Sequence, residues 1–77
     1  MVNTQLLEQA ITNSGKKKTY LADRCSITRQ SLTSKINNRS EFTGTQIMIL
    51  CKELDIKQLA RKDAIFFAPE VEKNGNQ

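Results

Sequence analysis

Hydrophobic residues recur at helical spacing through the first two thirds of this chain. Leu6, Leu7, Ala10 and Ile11 stand at i, i+1, i+4 and i+5, one buried stripe of an amphipathic helix. Asn3 or Thr4 is placed to cap its start. Gly15 is placed to end it, because glycine accepts the left-handed conformation just past a helix. A second helix is predicted from about Lys18 to Cys25. A third follows from Thr28, whose side-chain oxygen suits an N-cap, and ends near Asn37-Asn38. The apolar or small positions of this pair are Leu21, Ala22, Cys25, Ile27, Leu32 and Ile36, with a tight break at Ser26-Ile27. Two helices that cross steeply need a small residue where their backbones meet, and Ala22 fits that place. Ile27 sits in the turn and is expected to point inward.

The fourth start is the clearest. Thr43-Gly44-Thr45-Gln46 reads as a capping box, with Phe42 and Ile47 as its hydrophobic staple. The helix after it should bury Ile47, Leu50, Cys51 and Leu54, with Met48 and Ile49 widening the stripe. Asp55 to Gln58 forms a second candidate box, with Leu54 and Leu59 as staple, and opens a fifth helix from about Lys57 to Phe66. Phe66-Phe67-Ala68-Pro69 stops that helix, since the residue before proline avoids the α region. Strand-like alternation is scarce, so the predicted fold is all-α: five helices around one core. That core is expected to hold Leu7, Ile11, Leu21, Ala22, Cys25, Ile27, Leu32, Ile36, Ile47, Leu50, Cys51 and Leu54. The expected division is a folded domain over 1–67 and a short mobile tail over 68–77.

The outer side of the third helix presents Arg29, Gln30, Thr33 and Ser34, groups that hydrogen-bond to base edges. Leu21-Ala22, an inward Ile27, then Thr28-Arg29-Gln30-Ser31-Leu32 resembles the helix-turn-helix of the Cro and CI phage repressors. These belong to the family of small lambda-repressor-like DNA-binding proteins. The resemblance runs from roughly Leu6 to Leu59 and is strongest over Lys18 to Asn38. It implies a lambda-repressor-like domain with the motif at helices 2 and 3. It implies a repressor that binds a two-fold DNA operator as a dimer through the helix starting near Thr28. Base contacts would come from Thr28, Arg29, Gln30, Thr33 and Ser34. Lys16, Lys17, Lys18, Lys35, Asn38 and Arg39, at the two ends of the motif, are the candidates for phosphate contacts. Two residues depart from the family pattern. Ser26 stands where Gly is usual, so it must accept φ > 0 at about 1 kcal/mol. Lys18 stands where the family often has a phosphate-binding Gln, and an ammonium can serve the same purpose as a point charge.

A two-fold operator calls for a two-fold protein. The expected dimer contact is the stretch holding Ile65, Phe66, Phe67 and Val71. Adjacent aromatics point to different sides of a helix or strand, so one can enter the core while the other anchors a partner.

Charge sharpens this picture. The 77 residues carry a net +4, and the stretch up to Ser40 holds seven basic residues against two acids. The remainder holds five against six, so positive charge gathers on and beside the helix pair, as expected where phosphates dock. The length suits one domain of marginal stability. At 38% hydrophobic and 26% charged, the composition is that of a soluble globular domain, not a disordered one. Two cysteines, Cys25 and Cys51, and no histidine leave no set of zinc ligands; both read as small buried thiols. Without histidine, a phosphate-binding glycine loop or a base beside either cysteine, no enzyme and no cofactor is expected. No signal peptide or membrane span is read from the sequence, so the expected compartment is the cytoplasm of a bacterial host. Two other functions fit the same pattern: a modulator or antirepressor that binds a partner phage repressor, and an antitoxin that binds both DNA and a toxin.

Overall fold

Local capping chemistry fixes where three of the helices begin. The computed structural model describes residues 1–69, and over them the chain forms five α-helices and no strand. The first, α1, spans Thr4–Ser14 and is capped by Asn3, whose side chain accepts from the Leu6 N–H at 3.0 Å. The second, α2, spans Lys18–Arg24. The third, α3, spans Arg29–Ile36, with the Thr28 hydroxyl accepting from the Ser31 N–H at 3.0 Å. The fourth, α4, spans Gly44–Glu53 behind the complete Thr43–Gln46 capping box, both bonds at 3.0–3.1 Å. The fifth, α5, spans Leu59–Phe66.

Three helices end alike. In α2, α3 and α4 the residue after the C-cap is left-handed without being glycine: Ser26 at φ 59°, Asn38 at 64° and Asp55 at 58°. Each end closes with two backbone bonds, as Ile27 N–H to Ala22 and Ser26 N–H to Asp23 do, both at 3.0 Å. This is the Schellman arrangement, which satisfies carbonyls the helix itself leaves open. Ile27 and Ile56, the residues that follow in α2 and α4, turn back onto the core.

The same geometry overturns one expectation. Asp55 does not cap α5, and α5 begins at Leu59 instead of near Lys57. Asp55 is consumed in ending α4, and φ 58° is incompatible with the extended backbone an N-cap needs. Gln58 precedes α5 with no side-chain cap, and Leu59 is exposed.

Leu7, Leu21, Leu32, Ile36 and Leu50 form the fully buried centre, drawn from α1 to α4. The helix α2 packs on α3 and α4, and α1 packs on α3 and α5. Ala22 is 2% exposed. Ile27 and Cys51, expected inside, are half-buried against the rim of the core, and Leu6 is exposed. The core also takes in Val2, Ala10, Ile56, Ile65 and Phe66. Phe42 meets Phe66 edge to face, ring centres 5.8 Å apart at 84°. Ahead of α1 the chain is stitched across the fold: Asn3 N–H donates to Ile65 O at 2.7 Å, and the Thr4 hydroxyl to Ile36 O at 2.7 Å. Among the described residues no helix is long and apolar enough to cross a membrane. The tail expected to be mobile lies, from Glu70 on, outside the described residues.

Candidate nucleic-acid interface

With Leu32 and Ile36 turned into the core, α3 keeps Arg29 and Gln30 exposed and its remaining residues half-buried. Thr28, Arg29 and Gln30 are exposed at its start, and Thr33 and Ser34 are half-buried one turn on. The side chains of Arg29 and Gln30 make no hydrogen bond to any described residue. Arg29 thus presents an open guanidinium fork and Gln30 an open amide, each able to make a two-point contact. Thr28 combines two roles, since its oxygen caps α3 while its hydroxyl proton stays available.

The residues expected at phosphate fall into two groups. Lys17 and Arg39 are exposed and unpartnered among the described residues. The others are engaged. Lys18 Nζ sits 2.9 and 3.0 Å from the two carboxylate oxygens of Glu8. Lys35 Nζ donates to the Glu41 carbonyl at 2.7 Å. Lys16 Nζ donates to Glu53 twice, to the carboxylate at 2.9 Å and the backbone carbonyl at 2.7 Å, and lies 5.9 Å from the centre of the Tyr20 ring. Asn38, expected at phosphate, pairs its amide with Val2: its Nδ2 donates one N–H to Val2 O and its Oδ1 accepts from Val2 N–H, both at 2.8 Å.

Glu53 is the residue the sequence pattern does not reveal. Besides Lys16 it accepts from Arg24 Nε at 3.1 Å and from the Tyr20 hydroxyl at 3.0 Å. The Tyr20 hydroxyl is therefore in use. These donors, Lys16 first and then Arg24, lower the Glu53 carboxyl from 4.5 to about 2 against the opposing effect of desolvation. The same bond raises the Arg24 guanidinium further above its ordinary value. One signal was present in the sequence. An acid in the last turn of a helix opposes the dipole there and so needs cations from elsewhere in the fold. Glu53 ties the end of α4 to α2 and to the loop before it.

The candidate dimer stretch divides. Phe66 is 3% exposed and belongs to the core, as does Ile65, so neither is left to meet a partner; Phe67 is 55% exposed. Val71 lies outside the described residues. Phe67 edges a groove of about 400 Å³ lined also by Val2, Asn38, Phe42, Ile47 and Phe66. Cys25 is buried and Cys51 half-buried, both as free thiols, and burial pushes each thiol's pKa up.

No protein-family model matches the chain, and neither a curated protein nor a solved structure is found similar to it.

Proposed function

We propose that the chain is a sequence-specific DNA-binding repressor of the Cro type, with α2, the Ser26 turn and α3 as its helix-turn-helix. The observation that carries this reading is the open outer side of α3. Arg29 and Gln30 stand unpartnered among the described residues, at the end of the helix that would enter the major groove, and their donors and acceptors match guanine and adenine edges. Lys17 precedes α2 and Arg39 follows α3, two cations without a partner among the described residues that flank the motif, as phosphate positioning requires. Occupying an operator would block polymerase without any further domain. A two-fold operator would be met by a dimer, with Phe67 as the anchor between copies.

A second reading follows from the exposed Phe67 beside its groove: a modulator that uses Phe67 and this half-polar groove to bind a partner repressor. A gel-shift series over the intergenic DNA beside the gene separates the two. A discrete complex that survives excess random duplex supports the repressor. Equal retention of every fragment, or none, sinks it and favours the modulator.

A further inference from the structure

Glu8 and Glu53 both hold basic side chains, but they hold them differently. The Glu53 side chain is 10% exposed and shared among three donors, one of them the aromatic Tyr20. It is part of the packing between α2 and α4. Glu8 lies on the exposed side of α1, its side chain 40% open to solvent, and Lys18 is its single partner among the described residues. Lys18 meets both carboxylate oxygens within 3.0 Å, as it would meet two oxygens of a phosphate. It occupies the first position of α2, next to Lys17, which has no partner among the described residues.

We propose that Glu8 is a built-in counter-ion that withholds Lys18 from the DNA backbone and so sets how many phosphates the protein neutralises. This rests on the DNA-binding reading above. A phosphate approaching Lys18 must either displace Glu8, leaving that carboxylate beside a second anion, or accept a neutral pair. In both cases the release of a condensed counter-ion is offset. Binding that depends on backbone contacts alone is held down, and the weight of recognition falls on Arg29 and Gln30. The pair is half-buried, with Lys18 27% and Glu8 40% exposed, and Gln keeps the shape of Glu8, so Glu8→Gln is expected to leave the domain folded.

The test is a salt series of fluorescence anisotropy with a random-sequence duplex of about 20 base pairs, long enough for two turns of helix. Wild type, Glu8→Gln, and Glu8→Gln combined with Lys18→Ala are compared, each first checked for an unchanged melting temperature. Glu8→Gln is expected to steepen the dependence of log affinity on log salt by about 0.9, and so to bind roughly threefold tighter at about 50 mM salt than at 200 mM relative to wild type. Adding Lys18→Ala should return the slope to that of wild type. A Glu8→Gln slope equal to wild type overturns the proposal. So does a steepening that survives the loss of Lys18, or an equal steepening in Asp63→Asn, which removes one acid on α5, outside the helix pair, and so reads the general field of one removed charge. Wild type that binds neither this duplex nor the intergenic DNA at low salt overturns the DNA-binding reading itself, and this inference with it.

Discussion

Asn38 pairs its side-chain amide with both backbone groups of Val2, at 2.8 Å each, while its own backbone is left-handed at φ 64°. The residue that ends α3 thus also anchors the segment before α1. Two bonds to a backbone that is otherwise open at that point are worth about 0.5–1.5 kcal/mol each. Glycine would relieve the strained backbone and still lose both bonds. Asn38→Gly is therefore expected to lower stability by about 1–2 kcal/mol in a urea titration. A variant as stable as wild type would show that the pairing with Val2 is worth no more than the strain glycine relieves.

Ser26 and Asp55 share that backbone conformation without such a use for their side chains. Ser26 forms no side-chain hydrogen bond to the described residues, and Asp55 has only an exposed pair with Lys57 at 3.4 Å. Such a pair stabilises little. Ser26→Gly and Asp55→Gly are each expected to raise stability by about 0.5–1 kcal/mol, since glycine accepts φ > 0 without the Cβ penalty. Gly15 supplies the converse: its φ is 73° with open space around it, so Gly15→Ala should cost about 1 kcal/mol through conformation alone. Melting curves of the three variants decide the point. A loss on Ser26→Gly would contradict it.

Acid should weaken the domain through Glu53. Its carboxyl titrates at about 2 in the folded chain and in the ordinary range near 4.5 when freed from Lys16, Arg24 and Tyr20. The stabilisation from its ionised form is complete above that ordinary range and drains away as pH falls towards about 2. Glu53→Gln should be less stable than wild type at neutral pH, and the gap should close as the solution is acidified through this window. A gap that stays constant with pH would mean that Glu53 acts through shape and not charge.

Base readout and phosphate positioning separate in their salt dependence. Arg29→Ala or Gln30→Ala should cost about 1–3 kcal/mol on the specific site and little on random duplex, relaxing preference at one base pair. Lys17→Ala or Arg39→Ala should weaken both substrates alike and flatten the salt slope by about 0.9. Equal weakening of both substrates by Arg29→Ala would assign that residue to the backbone.

The two adjacent phenylalanines should behave oppositely. Phe66 is enclosed and packed edge to face against Phe42, so Phe66→Ala should destabilise by about 3–5 kcal/mol. Phe67→Ala should leave the melting curve nearly unchanged while lowering both the mass in solution and operator affinity. Wild type that is monomeric at micromolar concentration and binds a half-site as well as a full site would remove Phe67 from any dimer contact.

The sequence by itself determined the features that rest on neighbours three to five residues apart. Asn3, Thr28 and the Thr43–Gln46 box could be read because a cap and its N–H lie within one turn. Gly15 could be read because its conformation is its own, and Ala22, Leu32 and Ile36 because helical periodicity sorts one face from the other. Tertiary structure decided what depends on residues far apart in the chain. Glu53 reaches Lys16 across 37 positions and Arg24 across 29, and Asn38 reaches Val2 across 36; no local pattern encodes such pairs. Asp55 had two local uses, ending α4 or starting α5. The choice fell to the first because Ile56 gains a place in the core when α4 closes with its Schellman bonds. The two phenylalanines were known to face opposite ways, but which one faced inward waited on Phe42, 24 positions away in the loop before α4, to supply the ring it packs against.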